Sequence, residues 1–533
     1  MTTVAAVVGA RLREAGARYV FGHPGGEVVD LIEGFREAGL EFVLTRQETA
    51  AAFMADAMAT ASGIPAVCVA TLGPGATNLV TGIANAYLDR SPVLAFVGQL
   101  PADRYDITTH QKLDLRALYA PITKWQARLT AHNAAAVTER ALRTSLRPRR
   151  GPVLIEVPSD VPKQEAGAID ADAGGGSAMR EATGAVIDDG AAREAAALLR
   201  RAKRPVIVAG MDANDERVAV PLRRLAEEWR IPVIVSPKAK GAFREDDPLF
   251  LGTLEGLGTG KLFEFLDRRD LALLVGFEPV ELDRDWKSRA SVVHIGPLPN
   301  DDRNYDAAVE VVGPIDASLE RLVALAAPAE ARDDDDEVRS FRERFRAYVA
   351  PARAGLTAQQ VLAELRAALP EDALVTCDVG YNKAVTAQCW PAYQPRTFFL
   401  SNGLSSMGYG LPAALGLKLL DRDRAVACVL GDGGFAMVMA ELETAVRLSL
   451  GVIVVVLADD ALSQIKAGQE RKGYPVTGTT FGALDYRALA RAFGIEGHDA
   501  RTVAECREAF RRPPGDRPLL VAAHVDPSAY RLD

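Results

Sequence analysis

Residues 428–466 read CVLGDGGFAMVMAELETAVRLSLGVIVVVLADDALSQIK. An apolar run, Ala425–Leu430, ends at Gly431-Asp432-Gly433-Gly434. Behind it, Val438, Leu442, Ala445 and Leu448 recur at helical spacing and give the segment one apolar face. A second apolar run, Val452–Leu457, ends at Asp459-Asp460. Strand, turn, helix and strand in that order make a βαβ unit and predict a parallel sheet. Asp432 and Asp459 then both sit just past the carboxyl ends of strands, where open α/β sheets bind ligands. Glycines let the backbone approach a phosphate closely, and a helix start offers unbonded N–H groups. Two carboxylates beside a bound phosphate suit Mg²⁺, which favours a few carboxylates together with phosphate oxygens and water. Gly-Asp-Gly alone would equally mark a turn with a helix-capping aspartate. The acidic pair after the second strand, and Glu441 on the helix between, are what make the pattern specific.

The remainder of the chain sets the bounds. At 533 residues it is too long for one hydrophobic core, so two to four domains are expected. A hydrophobic content of 48% and a charged content of 25% fit a soluble globular protein. The net charge of −9, with no sustained basic tract, argues against nucleic acid and anionic membrane as partners. Arg11 and Arg13 interrupt the first apolar stretch, which therefore reads as neither signal peptide nor membrane span. Five dispersed cysteines without CxxC spacing read as buried thiols in a reducing compartment, hence cytoplasmic.

In order, residues 1–165 alternate helices with short apolar strands. Breaker-rich turns follow several of them: Gly22-His23-Pro24-Gly25-Gly26-Glu27, Arg46-Gln47-Glu48 before an Ala-rich helix, and Thr71-Leu72-Gly73-Pro74-Gly75-Ala76-Thr77-Asn78. A polar loop, Thr108-Thr109-His110-Gln111-Lys112-Leu113-Asp114, comes next. Residues 166–190 are rich in Gly, Ala and acids and read as a linker. A middle unit, 191–328, alternates strands and helices. Residues 329–355 open with AEARDDDDEVRSFRERFR and read as a charged, solvated connector. The last unit, 356–533, carries Asp378-Val379-Gly380-Tyr381-Asn382, then Ser401-Asn402-Gly403-Leu404-Ser405-Ser406-Met407-Gly408, then the opening stretch.

These segments, taken together, resemble the thiamine-diphosphate (ThDP) enzymes, and cover nearly the whole chain. The resemblance implies an α/β chain of three doubly wound parallel-sheet domains. These are a pyrimidine-binding domain at 1–165, a central Rossmann-like domain at 191–328 and a diphosphate-binding domain at 356–533. By the same resemblance Glu48 pairs with the aminopyrimidine ring and relays a proton, for which a buried carboxyl with a raised pKa is suited. Asp432, Asp459 and Ala461 are implied as the Mg²⁺ set. Gly25, Asn78, Tyr381, Asn382, Gly431, Gly433, Gly434, Ala461 and Leu462 are implied as cofactor contacts, with Ser405 gripping the ring and Met407 as the apolar wedge beneath the bent cofactor. Many members carry Asn where this chain has Asp459. The family builds its site between subunits, which implies a homodimer or homotetramer.

The polar loop narrows the branch. His110-Gln111-Lys112-Leu113-Asp114 with Pro121-Ile122-Thr123-Lys124 is similar to acetolactate synthases, and Gln111 and His110 are implied beside cofactor and substrate. Glu278-Pro279-Val280-Glu281-Leu282 with Trp286 resembles the catabolic, FAD-free type. No GxGxxG follows a strand of the middle unit, so FAD is not expected. The implied reaction is decarboxylation of a 2-oxo acid, pyruvate favoured, with carboligation to a second one. Another ThDP decarboxylase, aldehyde lyase or acyl transferase is the alternative. Lys466 and Gln464 stand where relatives place acceptor-pocket residues, although a surface role for Lys466 fits equally.

Overall fold

The computed structural model describes residues 2–167, 187–301, 304–325, 334–351, 353, 355–512 and 514–527. Apolar runs rich in Val, Ile, Leu and Ala form three six-stranded sheets, and every strand pairing is parallel. Such strands are buried on both faces because crossover helices cover them, which is why they read as continuous apolar runs.

The first sheet comprises β1 (Tyr19–His23), β2 (Glu41–Leu44), β3 (Ala66–Ala70), β4 (Val93–Gln99), β5 (Trp125–Arg128) and β6 (Val153–Pro158), in the order β2-β1-β3-β4-β6-β5. The second comprises β7 (Pro205–Ala209), β8 (Val233–Val235), β9 (Phe250–Thr253), β10 (Leu271–Val275), β11 (Ser291–Gly296) and β12 (Val309–Val312), in the order β12-β11-β10-β7-β8-β9. The third comprises β13 (Leu374–Cys377), β14 (Phe398–Leu400), β15 (Val426–Gly431), β16 (Ile453–Ala458), β17 (Glu496–Ala500) and β18 (Leu519–His524), in the order β14-β13-β15-β16-β18-β17. Position for position, the third sheet repeats the winding of the first. The chain is therefore α/β with three doubly wound parallel sheets.

Two compact units result. One gathers the first sheet with Gly403–Asp423 and Val438–Leu450, and the other holds the second and third sheets. In the first unit the helix Gly410–Leu420 lies against the helix Glu48–Ser62 so closely that a Cβ on Gly416 would meet the Met54 carbonyl at 2.5 Å.

Two sequence readings are corrected. The solvated connector is instead a helix from Asp335 to Val349, whose Val338, Phe341, Phe345 and Val349 are buried at a spacing of three and four. Its acidic start is not free either: Asp334 accepts from the buried Arg269 at 2.6 Å. The single helix expected after Gly434 is two, Asp432–Val438 and Glu441–Arg447. Most of the 166–190 linker lies outside the described residues. No described helix is long and apolar enough to cross a membrane.

Candidate active site

Each sheet reverses its winding between two adjacent strands: β1 and β3, β7 and β10, β13 and β15. The carboxyl ends of such strands flank the crevice where open α/β sheets take ligands.

In the first sheet that crevice is walled by turns too tight for side chains. A Cβ on Gly25 would meet Thr71 Oγ1 at 2.5 Å, and Thr71 Oγ1 donates to Glu27 Oε2 at 2.5 Å. Glu48 opens the helix Glu48–Ser62 directly after β2, and is 7% exposed. Small residues make that deep seating possible: Ala50–Ala52, Ala55, Ala57 and Ala59 all pack inside. Asn78 Nδ2 donates to Glu48 Oε2 at 3.1 Å, and a Cβ on Gly75 would stand 3.2 Å from Glu48 Oε1. The Tyr119 hydroxyl pins this turn by donating to the Ala76 carbonyl at 2.6 Å. Gln111 packs on the same turn, 3.1 Å from where a Cβ on Gly73 would lie. Gln111 has φ 56° and Gly73 φ 59°, so the left-handed residue of the pair that bears a side chain is Gln111. Gly25, Glu48, Asn78 and Gln111 thus converge around the turn 71–78. His110 is exposed on the adjoining loop.

Gly403–Tyr409 belongs to this same unit. The Gly403 N–H donates to Asp89 Oδ1 at 2.7 Å, and Tyr409 sets its ring edge-on to Phe53 with centroids 5.4 Å apart. Between these anchors Ser405 is exposed at φ 54°, and Met407 is half-buried.

In the third sheet the turn after β15 meets the turn after β13. A Cβ on Gly431 would lie 3.3 Å from Asn382 Oδ1, and one on Gly434 would overlap the Asp378 carboxylate. Asn382 is held in turn by donating from Nδ2 to the Asp378 carbonyl at 2.6 Å. Tyr381 and Asn382 open the helix Tyr381–Cys389 behind Gly380, whose φ is 133°. Asp432 is 6% exposed; its Oδ1 accepts from Gly433 N–H at 2.7 Å, and its Oδ2 from the N–H groups of Asp459 at 3.1 Å and Asp460 at 2.6 Å. Asp459 accepts from the Ser463 hydroxyl at 2.5 Å. Beside it, buried Ala461 bridges to Thr480, and the Leu462 N–H donates to the Thr479 carbonyl at 2.8 Å.

Electrostatics follow from this crowding. Burial raises Asp432 above the usual carboxylate range. Burial, with the charge of Asp432 adding to it, pushes Asp459 up to about 6. Two desolvated carboxylates on adjoining turns are a donor set suited to a cation. Among the described residues no three His, Cys, Asp or Glu side chains gather as a metal cluster. Asp432 and Asp459 would hold a cation together with carbonyl, phosphate or water oxygens, an all-oxygen set of the kind Mg²⁺ favours. Lys383 escaped the sequence reading. It is 7% exposed, donates to Asn402 Oδ1 at 3.1 Å and pairs with Glu255 at 3.3 Å. Its signal was a lysine in the first turn of a helix just past a buried strand.

The second sheet has a closed crevice. A Cβ on Gly210 would overlap the Phe277 backbone. Glu281, 2% exposed, accepts from the N–H groups of Met211 at 2.9 Å and Glu278 at 3.0 Å, and from the Ser236 hydroxyl. A carboxyl thus meets the donors that a nucleotide phosphate would use at this place in the fold.

Three family models match the chain: thiamine pyrophosphate enzyme N-terminal TPP binding domain at residues 2–118, central domain at 192–322 and C-terminal TPP binding domain at 378–523. The chain is 33% identical to an acetolactate synthase large subunit of Parasynechococcus marenigrum, over 91% of this chain and 81% of the relative. It is 32% identical to a probable acetolactate synthase large subunit of Methanocaldococcus jannaschii, covering 97% and 91%. It is 30% identical to a catabolic acetolactate synthase of Raoultella terrigena, covering 97% and 94%. The chain belongs to the thiamine pyrophosphate enzymes and is a ThDP-dependent, acetolactate synthase-like carboligase.

Proposed function

We propose that this enzyme decarboxylates pyruvate and joins the two-carbon unit to a second 2-oxo acid, pyruvate itself being the simplest, with Mg²⁺ as the companion of ThDP. The single observation that carries the reading is the seat of Glu48, a buried carboxyl at a helix start. It is held by Asn78 beside the Gly73–Gly75 turn, in a chain matched almost end to end by acetolactate synthases.

Bound ThDP supplies the carbon nucleophile and electron sink for decarboxylation. Glu48 would hold and move the proton that bound ThDP exchanges, and Asn78 orients its carboxyl from Oε2. Gly25, Ser405 and Met407 would hold the cofactor's ring portion. Asp432, Asp459 and Ala461 would hold Mg²⁺. Gly431, Gly433, Gly434, Tyr381, Asn382 and Leu462 bound the diphosphate pocket. Gln111 and His110 face the substrate from their loop. The site forms between subunits of a homodimer or homotetramer in the cytoplasm. FAD is not expected in this reading, which is supported by Glu281 accepting from the donors of the central crevice.

The test is purified protein incubated with ThDP, Mg²⁺ and pyruvate, with products identified. Acetolactate and CO₂ are expected. Acetaldehyde or acetyl phosphate instead would place the enzyme in another branch, and no CO₂ from a panel of 2-oxo acids would refute the assignment.

A further inference from the structure

The helix Glu48–Ser62 begins without a cap of its own: Gln47 occupies the N-cap position and makes no side-chain capping bond. A helix start leaves N–H groups that need acceptors, and an unmet one is costly when buried. The two residues just ahead of this helix, Arg46 and Gln47, find the acceptor for their N–H groups in the segment behind the GDGG turn. Glu441 is 2% exposed. Its Oε1 accepts from the Arg46 N–H at 2.8 Å, and the carboxyl accepts from the Gln47 backbone as well. Its Oε2 accepts from the Thr444 hydroxyl at 2.7 Å, which fixes the rotamer.

Neighbouring contacts complete the grip. Arg447, on the same short helix, donates to the Leu44 carbonyl at 2.6 Å. The Arg46 guanidinium lies 3.8 Å from Glu443. The Thr45 N–H donates to the Gly22 carbonyl at 2.9 Å, and the Thr45 hydroxyl donates to the Gln47 carbonyl at 2.9 Å. All four residues that lead into Glu48 are therefore tied down, and all these groups belong to one compact unit. Buried carboxylates of this kind are expensive to keep. The carboxyl of Glu441 reaches two consecutive N–H groups at once, those of the two residues just ahead of Glu48.

We infer that Glu441 is a positioning residue for Glu48: by clamping the Arg46 and Gln47 amides it sets where the Glu48 carboxyl stands. It touches neither substrate nor cofactor, and the inference rests on the proton-relay reading of Glu48. A misplacement of about 1 Å in a catalytic group can cost about 100-fold in rate, so the clamp has a measurable role to fill.

The experiment uses Glu441→Ala and Glu441→Gln holoenzymes with ThDP and Mg²⁺. Three quantities are read: amide hydrogen exchange over residues 41–50, exchange of the C2 proton of bound ThDP with D₂O, and ThDP affinity by calorimetry. In Glu441→Ala the amides of Arg46 and Gln47 should exchange about tenfold faster or more, with Glu41–Val43 unchanged, and C2 exchange should slow about tenfold or more while ThDP affinity stays within about threefold. Glu441→Gln keeps one carbonyl acceptor and should fall between. Wild-type exchange at Arg46 and Gln47, or wild-type C2 exchange, overturns the inference. Should Glu441→Ala not fold, Glu441→Gln and Thr444→Val decide on the same criteria. If Glu48→Gln itself left C2 exchange intact, the relay reading would fail, whereas the amide exchange reports on the clamp by itself.

Discussion

A carboxyl at the first position of a helix is commonly a charge that complements the helix dipole. Glu48 differs in its surroundings. It is buried, bonded to an amide and faced by a glycine, and the proton-relay role proposed for it makes a prediction. Glu48→Gln should keep ThDP binding in calorimetry yet lower turnover about 10²- to 10⁴-fold, the usual worth of a general acid–base group; unchanged turnover would refute the role. Asn78, expected from the resemblance as a cofactor contact, is bonded to Glu48. Glu281 carries a second expectation. Burial raises its pKa to about 8. For a carboxyl raised in the fold, the stability contribution is complete below the ordinary carboxylate range and is lost as pH rises through about 8, because the unfolded chain ionises first. Glu281→Gln mimics the protonated form, and its carbonyl oxygen can still accept from the Met211 and Glu278 N–H groups. In urea unfolding its stability relative to wild type should therefore improve between pH 5 and pH 8; a gap that does not change with pH would contradict the shift.

At the scale of elements, sequence and structure agree where a segment's apolar period is continuous and diverge where it is broken. β15 and β16 run within one residue of the apolar runs Ala425–Leu430 and Val452–Leu457. β17, Glu-Gly-His-Asp-Ala, shows no apolar run and was not foreseen; it is an edge strand whose pairing with β18 decides it. The helix Asp335–Val349 is masked by its charge: eleven other residues, most of them charged, surround the four apolar ones that pack inside, and tertiary burial overrides such a composition. The helix pair Glu48–Ser62 and Gly410–Leu420 depends on a close crossing at Gly416. Gly416→Ala should lower stability by about 1–3 kcal/mol, as overpacking does, since backbone atoms of Met54 and not a flexible side chain stand in the way. Denaturant titration checks this; a neutral result would mean that the two helices separate at little cost.

For the whole molecule, the repetition of the first sheet's winding in the third places two similar crevices in one chain, one presenting Glu48 and the other Asp432. If each site takes Glu48 from one subunit and Asp432 from its partner, two inactive variants should rescue one another. Glu48→Gln mixed with Asp432→Ala would yield hybrids in which one site has both groups intact. Recovered activity of about a quarter of wild type is expected after random reassortment into dimers, half of them hybrid with one working site each, and ThDP should be poorly retained by Asp432→Ala alone because the metal set is broken. No rescue on mixing, with subunit exchange verified by mass, would place both groups in a single chain's site.

The sequence by itself determined the α/β class, the alternation of apolar strands with helices, and the glycine- and acid-rich turns at strand ends. Those are local signals: apolar runs, breakers and spacing within about thirty residues. Tertiary structure decided which turns meet. That Asp432 caps the amides of Asp459 and Asp460, that Glu281 closes the central crevice and that Glu441 reaches Arg46 depends on pairing between non-consecutive elements. A hydrogen bond joining residues 395 apart in sequence leaves no periodic trace in the chain, because its geometry exists only after the elements have packed.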